Sequence, residues 1–204
     1  MKILSYLSIF LLSVQLQAQS FDKDWQTIYQ LEEQGSYKTL LQNVDALHKK
    51  AVKNNNEVEK AKAFLFQMKV ENVLKETSYQ KKVERLQTEI TSSKGVIQSV
   101  YRWYYVKTLL SAYNSKQSYW RRNQLVETTT TSLPKEIDLW SQNQFKEEIV
   151  KQARLLFQNE SVLKNTKIST IKDLVEYDNI QNNLNQSVYE FFCDHILQRL
   201  LVQI

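Results

Sequence analysis

Apolar residues recur along this chain at the three- and four-residue spacing of amphipathic helices, and polar runs separate the periodic stretches. Serines precede Tyr37 and Tyr79, where helix N-caps are expected, and Gly35 and Gly95 lie between periodic stretches, as helix-terminating glycines commonly do. The pattern therefore predicts five helices in the N-terminal half, over about residues 22–34, 37–53, 57–76, 79–91 and 96–113.

The pattern changes after Asn114. A run of threonines (Thr128 to Thr131) and Pro134 are poor helix formers, so residues 117–136 are interpreted as a connecting segment. Beyond it we predict a long helix from about Asp138 to Gln158, a short helix around residues 169–177 and a last helix over about residues 187–201. The last helix is apolar almost all round, which favours burial or a partner.

Two segments of the N-terminal half are similar to each other. Residues 31–41 read LEEQGSYKTLL and residues 73–83 read VLKETSYQKKV, which separates Tyr37 from Tyr79 by 42 residues. We therefore predict an all-α fold, with a tetratricopeptide-like (TPR-like) array of antiparallel helical hairpins over residues 19–116 and a second helical half over residues 137–204.

Composition supports helices and excludes several other classes. The 204 residues include two glycines and one proline, where average usage would supply about 14 and about 10. Antiparallel β folds need glycine or asparagine at tight turns, and phosphate-binding loops need several glycines close together. Neither architecture is compatible with this sequence.

The N-terminus has the pattern of a signal peptide. Lys2 precedes an apolar stretch from Ile3 to Val14, and small or apolar residues at Leu16 and Ala18 suit the −3 and −1 positions of a cleavage site. We predict a signal peptide over residues 1–18 and an exported, periplasmic or cell-surface protein; an uncleaved N-terminal anchor is the alternative. No further membrane-spanning segment is predicted.

One stretch mixes aromatic and cationic residues. YRWYYVK (residues 101–107) and YWRR (residues 119–122) could pack helices, form a groove for a peptide or protein, or bind single-stranded nucleic acid. A net charge of +5 and the predicted export argue against nucleic acid. The candidate partner-binding residues are Trp103, Tyr104, Tyr119, Trp120, Arg121 and Arg122.

No pattern predicts catalysis, a cofactor or a metal. Cys193 and His195 are two residues apart, so on a helix their side chains point to different sides, and we expect a buried, unreactive thiol. The adjacent pairs Glu32–Glu33 and Glu147–Glu148 are interpreted as solvated helix faces for the same reason. His48 lacks a ligand at i+4.

Several motifs together resemble the helical start of large bacterial α2-macroglobulin-like proteins. The first is DWQTIYQLEEQGSYKTLLQNVDALHKKAVKNNNEVEKAKAFLFQMK, residues 24–69. Those proteins begin, after a signal peptide, with a tryptophan helix, an LEEKG-type turn, an asparagine-rich loop and a lysine-rich helix. Counterparts continue at Tyr113, Tyr119–Arg122, Ile137–Trp140 and Val188–Phe192 with His195 and Leu197, whereas Gln186–Ser187 stands where that family has Pro-Thr.

The resemblance implies a leader segment without the rest of the protease trap. That family's β-sandwich domains and bait segment have no counterpart here, and no Cys-x-Glu-Gln thioester motif occurs. We therefore expect a non-catalytic docking or scaffolding module, whose partner is another protein or the remainder of a larger chain. A free-standing periplasmic adaptor that binds peptides or proteins is the alternative, and genomic DNA downstream of Ile204 would distinguish them.

Overall fold

The protein was examined as a computed structural model that describes residues 21–123, 133–175 and 184–203. The predicted signal peptide and threonine run, most of the polar segment after Asp178, and the side chains beyond Ile196 lie outside this description. The described residues are helical, which confirms the all-α prediction. The helices are α1 (residues 21–33), α2 (Tyr37–Lys53), α3 (Glu57–Val73), α4 (Tyr79–Ser92), α5 (Gly95–Asn123), α6 (Gln142–Leu156), α7 (Glu160–Asn165) and α8 (Val188–Gln203).

The chain divides into two compact units, and the boundary along the sequence falls between Leu74 and Lys75. The boundary falls within the segment 19–116 that the sequence grouped as one hairpin array. In the first unit α2 and α3 pack together across the short loop 54–56, and in the second unit α4 and α5 form the corresponding pair. The similar segments around Tyr37 and Tyr79 thus mark the first helix of each pair; the TPR-like arrangement stays a prediction.

The first unit has a continuous apolar core. Phe21, Trp25 and Ile28 on α1 pack against α2 and α3 and are nearly inaccessible to solvent. These positions repeat at the three- and four-residue spacing that the sequence pattern indicated. The other fully enclosed members are Leu40, Val44, Leu47, Ala51, Ala63 and Val70.

The second unit is built around α5, which contacts α4, α6, α7 and α8. The buried Ser99 hydroxyl donates a hydrogen bond of 2.8 Å to the carbonyl oxygen of Leu156 and so joins α5 to the end of α6. The side-chain amide of Gln80 on α4 accepts from the backbone N–H of Ile137 at 2.8 Å and donates to the carbonyl of Lys135 at 3.2 Å. The two bonds of Gln80 therefore hold residues 135–137, which precede α6, against α4.

Two helix boundaries in this unit differ from the predictions. Helix α5 continues to Asn123, although the sequence pattern ended it near Tyr113. The extra turns are stabilised because Trp120 packs against Tyr113 and Phe145 at ring-centroid distances of 5.3 and 5.8 Å. The predicted connecting segment 117–136 therefore begins with helical residues.

The predicted long helix over residues 138–158 is also wrong at its start. Residues Ile137–Leu139 form a 3-10 turn, Trp140 is extended, and α6 begins after Ser141. Ser141 and Gln144 make a reciprocal capping box, in which each side chain bonds the other's backbone N–H. This cap gives hydrogen-bond partners to the backbone N–H groups of Ser141 and Gln144 and defines the start of α6.

The region between α6 and α8 contains less helix than predicted around residues 169–177. Instead of one helix there, α7 (Glu160–Asn165) is followed by two 3-10 turns, Ile168–Thr170 and Lys172–Leu174. An isolated antiparallel bridge joins Lys167 and Ser187 and anchors the start of α8.

Helices α1, α2 and α3 each end in a left-handed residue. Gly35, Asn55 and Lys75 have φ angles of +68°, +51° and +57°. At Gly35 the N–H of Ser36 bonds the carbonyl of Leu31 at 2.9 Å and the N–H of Gly35 bonds Glu32 at 3.0 Å, the two bonds of a Schellman motif. Lysine is the least suited of the three residue types to this conformation, because glycine has no Cβ and the short polar side chain of asparagine can hydrogen-bond locally.

The difference among these three residues generates a stability prediction. Gly35→Ala should lower the free energy of unfolding by about 1 kcal/mol, because a Cβ there meets no atom within 4 Å and the cost is that of the backbone alone. Lys75→Gly should raise the free energy of unfolding by about 0.5–1 kcal/mol, since it relieves the strained φ. Urea denaturation followed by circular dichroism measures both. Lys75→Ala keeps a Cβ and is the matched control with little expected change; destabilisation by Lys75→Gly would contradict the interpretation.

Candidate functional site

The six residues that the sequence nominates all lie on α5, but at two separate places. Trp103 and Trp120 are seventeen residues apart, or roughly 25 Å along the axis at 1.5 Å per residue. They therefore do not line a single compact groove.

The first place is an interior contact. Trp103 is 6% exposed, and its ring lies 5.9 Å from Phe192 and 6.3 Å from His195 on α8. Tyr104 is half-buried and its hydroxyl donates to the carbonyl of Leu174 at 2.9 Å. These two residues pack α5 against the C-terminal segments, and Trp103 has little surface to offer a partner.

The second place is at the surface. Tyr119 is 52% exposed, and Arg121 and Arg122 are exposed beside it. Arg121 Nε donates a long hydrogen bond, 3.4 Å, to the carbonyl of Gln117. We call Tyr119, Arg121 and Arg122 the α5 terminal surface.

Trp120 lies next to this surface in the sequence and packs into the second unit. Its ring packs against Tyr113 and Phe145, and Phe145 is 5.2 Å from the ring of Trp140. The indole N–H of Trp140 donates to the carbonyl of Pro134 at 2.7 Å. The cluster packs the last turns of α5, which carry the α5 terminal surface, against α6.

Helix α5 has an unusual charge distribution, with five cationic and no acidic residues. Three of the cations have intramolecular partners in the second unit. Arg102 donates to Gln152 at 2.6 Å, Lys107 lies over the ring of Tyr104 at 4.8 Å, and Lys116 pairs with Asp138 at 3.2 Å. The other two, Arg121 and Arg122, lie in the last turn of α5 and pair with no carboxylate among the described residues.

A buried polar network lies between α5 and α6 and was not found in the sequence. Glu148 is 5% exposed, so the prediction of a solvated Glu147–Glu148 face is wrong for this residue. One carboxylate oxygen accepts from Gln152 Nε2 at 2.7 Å and the other from Lys151 Nζ at 3.2 Å. Gln152 in turn accepts a hydrogen bond from Arg102. Burial lowers the pKa of Arg102, and the negative charge of Glu148 opposes that shift.

Tyr105 belongs to the same region. Its ring is fully buried and its hydroxyl accepts a hydrogen bond of 2.9 Å from Gln87 on α4. Burial, and secondarily the charge of Glu148, raise the pKa of Tyr105 above its ordinary value of 10.0, against the effect of the Gln87 hydrogen bond. The phenol stays neutral at physiological pH, and the network serves as an internal connection between helices.

The thiol of Cys193 is half-exposed rather than buried as predicted. Burial raises its pKa, a hydrogen bond with Tyr189 opposes the shift, and Asp194 and Glu190 add to it. A thiol whose pKa is raised is a weak nucleophile at neutral pH. His195 packs edge-on against Phe191 with ring centroids 4.3 Å apart, so it belongs to the aromatic interior.

An aromatic and cationic cluster in the first unit also escaped the sequence analysis as a group. The rings of Trp25, Tyr29 and Phe66 contact one another at 5.4–6.0 Å, and Lys62 Nζ lies 4.3 Å above Trp25. The Trp25 indole N–H donates to Glu59 at 2.7 Å. Its residues come from α1 and α3, far apart in sequence, so no local pattern could have revealed it; its contacts attach α1 to α3.

A shallow cleft of about 140 Å³ lies between α1 and α2. Asp24 and Lys50 pair at 2.6 Å on its edge, and the buried side chains of Ile28 and Leu47 form part of its wall. Within residues 21–123, 133–175 and 184–203, His, Cys, Asp and Glu side chains do not gather in threes as a metal site would require. None of the helices in those ranges combines the length and apolar character needed to cross a membrane.

Comparisons with protein-family models, curated proteins and solved structures find no match for this chain. The candidate site is the α5 terminal surface, the part of the nominated stretch that is exposed, charged and held by packed aromatic rings.

The contrast between the two places on α5 predicts that shortening a side chain to alanine costs much more stability at the first place than at the second. Trp103→Ala should lower the free energy of unfolding by about 3–5 kcal/mol, because it empties a core position. Tyr119→Ala should change stability by about 0.5 kcal/mol or less, because its ring is largely solvated. Thermal and urea unfolding of the two variants measure the difference. Equal destabilisation would show that the assignment of interior and surface is wrong.

The raised pKa of Tyr105 predicts a loss of stability at alkaline pH. Below pH 10 the folded and unfolded chains both keep the phenol proton, so the contribution of Tyr105 to the free energy of unfolding is fully present. As the pH rises above 10, Tyr105 ionises first in the unfolded chain, and this contribution to stability is lost. The difference in urea midpoint between the wild type and Tyr105→Phe should therefore shrink between pH 9 and pH 11. Tyr119→Phe is the exposed control, whose curve should parallel the wild type; parallel curves for Tyr105→Phe would contradict the prediction.

Proposed function

We propose that this chain is a non-catalytic, exported helical module that docks or scaffolds a protein partner through the α5 terminal surface. Its role would be that of the helical leader of an α2-macroglobulin-like protein, as the motifs along residues 24–69 and at residues 119–122 suggest. The same surface would serve a free-standing periplasmic adaptor, which is the alternative.

The observation that carries the proposal is the exposure of an aromatic ring and two guanidinium groups at the end of a well-anchored helix. Tyr119 is 52% exposed, whereas Trp120 beside it is packed into the second unit. Tyrosine and arginine are enriched at protein interfaces, because the tyrosine ring gives a large contact with few rotatable bonds and the planar guanidinium presents several hydrogen-bond donors at once. A helix end that is already held by side-chain packing loses less conformational entropy on binding than a free segment would.

The chemistry of the other polar groups supports a binding role over a catalytic one. The buried carboxylate of Glu148 is bonded to Gln152 and Lys151, and Tyr105 and Cys193 both have raised pKa values. A general base needs an accessible lone pair and a pKa near the working pH, and a nucleophile needs to ionise. These groups are suited to holding helices together.

Site-specific photocrosslinking in the native host tests the proposal. A photoreactive phenylalanine derivative at position 119 should form a defined adduct with one protein in the exported fraction, on a chain whose N-terminus is Gln19. The matched control is the same derivative at Val162, which is 47% exposed and lies on α7 of the same unit.

Two results would contradict the proposal. Adducts of equal yield at positions 119 and 162 would mean that the α5 terminal surface is not a specific contact. Recovery of the chain only in the cytosol, with residues 1–18 retained, would contradict export. Macroglobulin domains encoded downstream of Ile204 would favour the leader over the adaptor.

A further inference from the structure

We propose that the α5 terminal surface recognises an acidic segment of its partner protein, in which carboxylates engage Arg121 and Arg122 and an apolar side chain covers Tyr119. This inference rests on the proposed docking function and specifies the chemistry of the partner.

The first argument is the unbalanced charge of α5. The helix carries five cations and no carboxylate, and Arg102, Lys107 and Lys116 are each engaged by a side chain of the second unit. Arg121 makes one weak hydrogen bond, to a carbonyl at 3.4 Å, and Arg122 is exposed without a carboxylate partner among the described residues. A guanidinium group presents a planar set of donors that fits a carboxylate in a bidentate manner.

The second argument is the apolar surface next to these cations. Tyr119 and Arg122 are three residues apart and therefore share a face of α5. Lys116, one turn earlier on this face, donates to the backbone carbonyl of Asp138 at 2.6 Å, which brings the turn Ile137–Leu139 beside the helix. Leu139 in that turn is 66% exposed. A partner segment with both carboxylates and an apolar side chain would match this mixture.

The third argument separates an acidic peptide from a nucleic acid. Binding a phosphate backbone requires several cations along an extended track. Here the neighbouring turn carries Glu136 and Asp138, both exposed, and the Asp138 side chain is 80% accessible. Residues 21–74 contain eight lysines and eight acidic residues, so the first unit adds no net positive charge. Two arginines at one helix end suit a short acidic segment better than a polyanion.

Selection from a random peptide library tests the inference on the mature chain, residues 19–204. Phage-displayed peptides of about 12 residues selected on the wild type should be enriched at least about twofold in Asp and Glu, with an aromatic or aliphatic residue among them. Synthetic versions of the selected peptides should bind about tenfold more weakly to Arg121→Glu/Arg122→Glu. Replacing their Glu by Gln should weaken binding similarly.

The matched control is Arg154→Glu, which reverses an exposed arginine in the last turn of α6 and should alter affinity by less than about twofold. Arg121→Gln/Arg122→Gln removes the charge without introducing repulsion and should retain an intermediate affinity. Circular dichroism of all variants verifies the fold, since the altered side chains are exposed.

Three outcomes would overturn the inference. They are selected peptides without acidic enrichment, equal effects of the Arg121/Arg122 and Arg154 reversals, and tighter binding of a thymidine oligonucleotide than of any acidic peptide. A specific photocrosslink at position 119 together with any of these would leave the docking function in place and reject its acidic partner. Absence of the crosslink would instead reject the docking function itself.

Discussion

The burial of α5 on several sides is the constraint on which the second unit depends. Val100, Tyr101, Trp103, Tyr105 and Val106 are all buried, and successive residues of a helix point in directions about 100° apart. One neighbouring element could not cover them, and α4, α6, α7 and α8 together do. Fully burying a large apolar side chain is worth about 1.5–3 kcal/mol, so a helix enclosed in this way supplies much of the unit's stability.

Several polar groups that α5 carries inside bond to the elements around it. The hydroxyl of Ser99 bonds a carbonyl at the end of α6, that of Tyr104 bonds the carbonyl of Leu174, and that of Tyr105 accepts from Gln87. Each bond reaches a different element around α5. A buried polar group without a partner costs about 1–3 kcal/mol, so these bonds favour one arrangement of the neighbours over sliding or rotated alternatives.

The sequence predicted most helix starts because those signals are local. Ser78 and Asn56 cap α4 and α3 with side-chain hydrogen bonds to the third residue beyond, and the apolar stripe follows at once. Helix ends were predicted less well where a distant contact decides them. The last turns of α5 depend on Phe145, which is 25 residues beyond Trp120, and no local pattern contains that partner. The break before α6 was readable in principle from Ser141 and Gln144, which form a capping box.

The nominated surface shows a similar limit of sequence reasoning. Aromatic and cationic residues alternate in both YRWYYVK and YWRR, and composition alone does not say which of them meets solvent. Burial separates them: Trp103 lies against Phe192, whereas Tyr119 projects from the end of the helix. Glu148 shows the opposite case, a charged residue that is buried. Its position beside Glu147 in an amphipathic pattern gives no sign that its carboxylate bonds Gln152 in the interior.

The division of α5 into a buried stretch and an exposed end has a physical consequence for recognition. Cations in the first part lie close to acceptors of their own unit, and their charge is partly neutralised before any partner arrives. The arginines at the end have no carboxylate partner among the described residues, and they project from a helix held by Trp120. Within the part of the chain that the structure describes, no ion pair has to break there before a new one forms. A partner would therefore gain more from a carboxylate placed at Arg121 or Arg122 than from one placed anywhere else along this helix.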